Sequence, residues 1–153
     1  MEISHEPADS ADAAWCLARY QAELALRFDA GFDPGIGNSL DVLDVTPPKG
    51  WFLVARLDGR PVGCGASKRL DGQSGEIKPV WVDDAARGRR LASAIMDRLE
   101  VLAVDAGFTR VVLDTNKALV EARAMYLKRG YREIARYNDN PYAHHWFEKD
   151  LRT

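Results

Sequence analysis

Arg87, Arg89 and Arg90 surround Gly88 just ahead of an apolar run that begins at Leu91. A helix starting near Leu91 would leave its first backbone N–H groups unpaired, with the positive end of its dipole facing the same way. A phosphate satisfies both demands. Gly88 lets the main chain approach a ligand without a Cβ in the way, and the guanidinium groups add positive charge at the same place. Anion binding is therefore the chemistry this turn would support. Arginines that simply decorate a solvated helix start are the alternative, and the order of the flanking residues decides between the two.

Other chemistry-bearing residues give weaker signals. His144 and His145 are adjacent in an alternating stretch, so they point to opposite faces and cannot chelate one metal together. No further ligand spacing accompanies them, and no metal is expected. Cys16 and Cys64 have neither metal-type spacing nor a disulfide framework, and read as small buried hydrophobes. Asp29, Asp33, Asp41 and Asp44 make one loop acidic, which would favour a cationic amine if they face a pocket and is otherwise a solvated charged loop.

The chain of 153 residues has the length of one domain, taken as residues 1–153, and can bury a core. Hydrophobic residues at 46% and charged residues at 29% exclude a disordered chain. A formal charge of −2 provides no basic field for nucleic acid or an anionic membrane, so the arginine turn is a local exception. The sequence shows no spanning apolar run and no signal-peptide pattern, which gives an expectation of a cytoplasmic protein. Oligomeric state is not encoded in any motif, and a homodimer is left open.

The elements that must position the arginine turn follow from periodicity. Met1 to Glu6 is a weak edge strand. Ala13, Leu17, Tyr20, Leu24 and Phe28 recur at helical spacing, with Asp9 or Ser10 available as a cap. From Ala30 to Pro48 glycines and prolines punctuate a loop, with one helical turn around Leu40 to Leu43; a loop this long is a candidate wall for an acceptor pocket. Trp51 to Leu57 is apolar on both faces and needs cover on both. Asp58-Gly59 turns it into Val62 to Leu70, and residues 71–75 turn the chain again into Glu76 to Val82. Pro79 removes one ladder donor, which suits a bulge or a place where strands part. Leu91 to Ala106 is the next amphipathic helix, ended by Gly107, and Val111 to Leu113 the following strand, so a right-handed crossover with parallel pairing is expected. Glu121 to Arg129 reads as a helix, Tyr131 to Ile134 as a strand, Tyr137 to Pro141 as a turn and Ala143 to Lys149 as a last alternating strand.

Val80-Trp81-Val82, a few polar residues and then Arg87-Gly88-Arg89-Arg90-Leu91-Ala92 at a helix start resemble the cofactor motif of the GNAT superfamily of acetyl-CoA-dependent N-acetyltransferases. Arg87 and Ala92 fit that pattern, while Arg90 stands where the family usually has Gly. The family's second motif is matched in spacing by Ala122, Tyr126, Gly130 and Tyr131, with Leu119 at the usual Asn position and Asn116 earlier in the chain. The resemblance implies an α/β fold with a mixed sheet of six to seven strands and helices on both faces. It implies acetyl-CoA as cosubstrate, its pantetheine arm on the backbone of Val80, Trp81 and Val82. The pyrophosphate would lie on amides from Arg87 through Ala92, including Gly88, Arg89, Arg90 and Leu91, with Asn116 nearby. It also implies Tyr126 as general acid toward the thiolate and Glu76 as base, with alternation placing Glu76, Val80 and Val82 on one face of the strand. Phe28, Phe32, His144 and Trp146 are weaker candidates for contact with an amine acceptor, which is expected to be a small molecule.

Two rivals remain: a non-catalytic acyl-CoA-binding domain, since Arg90 and Leu119 depart from the pattern, and a protein lysine or N-terminal acetyltransferase. No cysteine sits in either motif, so direct attack of the amine on the thioester is expected rather than an acyl-enzyme.

Overall fold

The computed structural model describes residues 1–29, 31–33, 40–88 and 90–152. Its elements are β1 (Glu2–His5), α1 (Ala11–Arg27), β2 (Gly50–Leu57), β3 (Arg60–Arg69), β4 (Ser74–Val82), α2 (Leu91–Asp105), β5 (Arg110–Thr115), α3 (Val120–Lys128), β6 (Arg132–Ile134) and β7 (His145–Asp150), with short 3-10 turns at Val42–Val45 and Asp84–Ala86. The expected elements are all present. The turn expected around Leu40 to Leu43 begins instead at Val42, where the Asp41 side chain caps it through Leu43 N.

The seven strands form one mixed sheet in the order β1-β2-β3-β4-β5-β7-β6. β2 to β4 make the antiparallel meander, β4 and β5 pair in parallel, and β7 inserts between β5 and β6. The α2 crossover thus yields the parallel pair anticipated from strand, helix, strand. The two apolar faces of β2 are covered as its sequence demanded. Leu53 and Ala55 join a core with Ile95, Met96 and Leu99 of α2, while Phe52 and Val54 join a second with Ala13 and Cys16 of α1. Cys16 and Cys64 are both buried and free.

One irregularity organises the functional end of the sheet. In the β3–β4 ladder Ser67 faces Ile77 and Gly65 faces Val80, so Ala66 stands opposite both Lys78 and Pro79. That extra residue on β4 reverses the side-chain alternation beyond it. The expectation that Glu76, Val80 and Val82 share a face is therefore corrected. Ile77, Val80 and Val82 pack on the α2 side, and Glu76, between Gly75 and Ile77, points to the α1 side. On the other edge of β4 the pairing with β5 stops after Ser74↔Arg110, Gly75↔Val111 and Glu76↔Val112. β5 continues to Thr115 against β7. The two central strands part beyond Glu76, at the place the proline marked.

α1 begins on the Ser10 side chain, which accepts from Ala13 N. At its other end Arg27 reaches across to α3, donating to both carboxylate oxygens of Glu121 and, at 2.9 Å, to the Ala118 carbonyl. The hydrogen bond from Arg27 holds the Glu121 carboxyl down at about 2.

Two predictions follow from this packing. A Cβ at Gly50 would lie 2.2 Å from Asp44 O and 2.4 Å from Ser67 O, both backbone atoms, whereas one at Gly59 (φ +79°) meets nothing within 4 Å. Gly50→Ala should therefore cost more than about 2 kcal/mol and Gly59→Ala only about 1 kcal/mol of turn strain. Equal losses in chemical denaturation would refute the close approach. The second concerns acid. Glu121 has a folded-state pKa below its unfolded value, so its contribution is full above the ordinary glutamate range and vanishes as pH falls toward about 2. The stability difference between wild type and Glu121→Gln should shrink over that window, and a pH-independent difference would show that the Arg27 pair does not form.

Candidate active site

Where β4 and β5 part, a cavity of about 270 Å³ opens between the sheet, α1, α3 and the loop that precedes β7. Glu76, Val80, Asn116, Tyr126, Phe28 and Phe32 line it, six residues singled out from sequence. Tyr126 is buried, its ring 5.8 Å from that of Tyr131 and 6.2 Å from that of Phe147. Burial, reinforced by the Asp114 charge, pushes its phenol well above the ordinary tyrosine range. It is a protonated hydroxyl throughout the neutral range.

Glu76 is 2% exposed, yet its carboxylate is well supplied with donors. Oε2 accepts from the Tyr137 hydroxyl at 2.6 Å and from Asn138 Nδ2 at 3.3 Å, while Oε1 has Lys68 Nζ at 3.7 Å. The same Asn138 amide donates at 2.7 Å to Asp114, a second buried acid, which also takes Asn140 Nδ2 at 3.2 Å and Lys78 Nζ at 3.2 Å. Trp146 Nε1 donates to Asn138 Oδ1 at 2.9 Å and so fixes which way that amide points. The segment read from sequence as a plain turn, Tyr137 to Pro141, is thus the polar floor that makes two buried carboxylates tolerable. Its signal was confined to residue types, since an Asn-Asp-Asn turn and a carboxylate clamp look alike until the strand ends are brought together.

The aromatic wall comes from three segments. Tyr142 lies 4.9 Å from Phe32 and 5.7 Å from Phe28, centroid to centroid, and its hydroxyl accepts from Asp33 N at 2.8 Å. Asn116 lies on the rim, committed to its own loop: Nδ2 donates to Tyr142 O at 2.7 Å, and Oδ1 accepts from Ala118 N at 2.8 Å. His144 and Trp146 do not line the cavity. His144 is exposed and accepts from Lys117 N at 3.1 Å, and Trp146 serves it indirectly through Asn138. Asp114, Lys68, Lys78 and Tyr142 do line it. Sequence periodicity gave no reason to group the first three.

The arginine turn lies beyond Val82. The first intrahelical bond of α2 runs from Ala94 N to Arg90 O, and no side chain caps the helix, so Leu91, Ala92 and Ser93 start it with amides that lack an intrahelical partner. Arg87 does not add free charge there. Its guanidinium is shared by Glu23 at 2.6 Å and Asp84 at 2.5 Å, with Val82 O at 3.3 Å, and its amide bonds Asp84 O at 3.2 Å. Arg90 adopts φ 59° and ψ 26°, the left-handed conformation that a glycine takes without penalty, and its residue is exposed rather than folded into the turn. Arg89 lies outside the described residues. Beside this turn, β4 from Ile77 to Val82 has β3 on one edge and, among the described residues, no strand on the other. Unpaired helix amides next to an open strand edge fit a phosphate joined to an extended amide chain. Backbone rather than side chains would make that grip. No group of three or more metal-ligating side chains occurs among the described residues, and no described helix is long and apolar enough to cross a membrane.

Comparison with known proteins gives a consistent relationship. The family model of the acetyltransferase (GNAT) family matches residues 13–131. An IAA acetyltransferase of Azospirillum brasilense is 36% identical over 93 residues, which is 60% of this chain and 61% of that protein. The chain thus spans about three fifths of the length of the curated relatives it matches first. A solved Klebsiella pneumoniae structure with a proposed acyl-CoA N-acyltransferase activity aligns with TM-score 0.80 and 25% identity, covering 98% of this chain and 97% of that one. An aminoglycoside 6'-N-acetyltransferase complexed with coenzyme A shares the fold, with TM-score 0.69 and 15% identity over 99% of this chain and 97% of that one. Matched across most of its length and folded as these structures are, the chain belongs to the acetyltransferase (GNAT) family.

Proposed function

We propose that the protein transfers the acetyl group of acetyl-CoA to a primary amine held in the cavity between α1 and the parted strands. The observation that carries this reading is the juxtaposition of three features: an open β4 edge, the uncapped start of α2, and a cavity with a protonated phenol and a buried carboxylate. Membership of the acetyltransferase family and the coenzyme A complex of a protein of the same fold support the donor. In this reading the main chain of Val80, Trp81 and Val82 bonds the pantetheine arm as a further strand would, and the amides of Gly88 and of Arg90 to Ala92 take the pyrophosphate. Arg87 orders the turn through its acid partners, and Asn116 shapes the rim.

The reaction needs the amine deprotonated, the carbonyl held and the leaving sulfur protonated. Glu76 Oε1 is the side of that carboxylate with no hydrogen bond among the described residues, so it is the oxygen that receives the amine proton, directly or through water. The nitrogen lone pair then forms the C–N bond, the C–S bond breaks with its pair on sulfur, Tyr126 delivers the proton that makes the free thiol, and the second proton that nitrogen sheds as the amide forms restores the phenol. Its raised pKa keeps that proton available.

Calorimetry with coenzyme A and thiol release from acetyl-CoA with a panel of amines test the reading. Heat without thiol release would leave an acyl-CoA-binding domain, and the absence of both signals would overturn the proposal. Tyr126→Phe should lower kcat about 100-fold with coenzyme A affinity unchanged, and an undiminished kcat would take the general-acid role from it. Glu76→Gln retains the Tyr137 contact and loses the base, so a comparable fall in kcat is expected. An undiminished kcat would exclude Glu76.

A further inference from the structure

We infer that the acceptor is an α-amino acid with an apolar or aromatic side chain, bound as a zwitterion by Lys68, Glu76 and Lys78. This rests on the acetyltransferase reading above and narrows its acceptor. Lys68 is the cross-strand partner of Glu76, and Lys78 lies two residues further along β4, before the extra residue has reversed the alternation. Both lysines therefore flank Glu76 on the α1 face, and all three line the cavity. Asp114 of β5 lies on that face too, since Val111 and Leu113 point to the α2 core. The result is a row of cation, anion and cation at the cavity floor.

Exposure separates the lysines from the acids. The side chains of Lys68 and Lys78 are 32% and 24% exposed, against 2% for Glu76 and 3% for Asp114. The acids are buried and held by Tyr137, Asn138 and Asn140, and the lysine side chains are the more accessible groups. An ammonium carries three N–H donors. Lys78 Nζ has one carboxylate at 3.2 Å, and Lys68 Nζ has one at 3.7 Å, outside hydrogen-bond range. Donors on both lysines are left for a ligand, and a carboxylate is the group that takes two ammonium partners at once. A simple amine could pair with the carboxylates of the cavity but would leave the free donors of both lysines unmet. An amine that carries its own carboxylate answers all three charges.

The remaining surface sets the side chain. Phe28, Phe32 and Tyr142 form a continuous aromatic wall, and Tyr20 and Leu24 extend it along α1. Asp41 and Asp44 line the cavity from the 3-10 turn and would repel a second carboxylate. At about 270 Å³ the space suits a small molecule rather than a folded partner. The acetyl transfer balances as follows. The ammonium loses two protons, one to solvent through Glu76 and one that finishes on the thiol by way of Tyr126. Nitrogen gains the acetyl carbon as sulfur leaves with the C–S pair. The products are an N-acetyl amino acid and free coenzyme A.

The test compares thiol release from acetyl-CoA by the full chain with L-phenylalanine, its methyl ester, 2-phenylethylamine and L-aspartate. A charge-assisted hydrogen bond to the carboxylate is worth roughly 10- to 100-fold, so kcat/KM for phenylalanine should exceed that for the ester and the amine by about this factor, with aspartate also poor. Equal or better turnover of the ester or the amine overturns the inference and leaves the acetyltransferase reading intact. So does release confined to a polyamine or a peptide lysine when these are added to the same panel. No release with any acceptor overturns both. Lys78→Met should raise KM for phenylalanine and leave that for 2-phenylethylamine unchanged, and the same KM shift for both would overturn the carboxylate role. If loss of the Asp114 partner prevents folding, Lys68→Met reads the same difference.

Discussion

The structure depends on the loss of pairing between β4 and β5 after three residue pairs. A parallel pair at the centre of a sheet would ordinarily run on, because every unpaired backbone group in a buried place costs free energy. Here Pro79 offers no N–H, and Ala66 on β3 faces two residues of β4 instead of one. The strands diverge around that extra residue. What the sheet loses in ladder bonds it regains as an open edge and a cavity that a fully paired sheet would not contain.

Opening a sheet at its centre exposes polar side chains to the interior, and two carboxylates lie there. Their burial would be prohibitive without partners. The loop from Tyr137 to Tyr142 supplies them from a part of the chain about sixty residues beyond Glu76. Asn138 touches both acids and is itself oriented by Trp146, so β4, β5 and β7 are joined by a single amide. Removing either acid would leave the rest of that set with unmet donors, which makes it a cooperative unit. Through Asp114 it also takes the Lys78 ammonium.

The start of α2 shows the opposite strategy. Its amides lack an intrahelical partner, and no side chain fills in for one. Arg90 accepts a left-handed backbone that costs a non-glycine residue roughly 1–2 kcal/mol. Arg87, the arginine that fits the family pattern, spends its charge on Glu23 and Asp84. In the proposed function, binding at this turn would rely on main-chain geometry, which suits a turn with a bulky residue in place of the family's glycine.

Local order was legible in the sequence. Helical spacing gave α1 and α2, alternation and the Asp58-Gly59 turn gave the meander, and Pro79 marked the place where pairing fails. These are properties of neighbouring residues, governed by periodicities of 3.6 and 2. The resemblance in the arginine turn and around Tyr126 carried the family. Tertiary structure alone decided which charges meet. One extra residue opposite Ala66 turned Glu76 away from Val80 and Val82, and a distant Asn-rich turn closed over two acids from different strands. Side-chain parity changes with a single inserted residue, and contacts across sixty residues depend on how strands stack rather than on spacing along the chain. Sequence therefore determined the elements and their order, and the folded register determined the chemistry of the cavity floor.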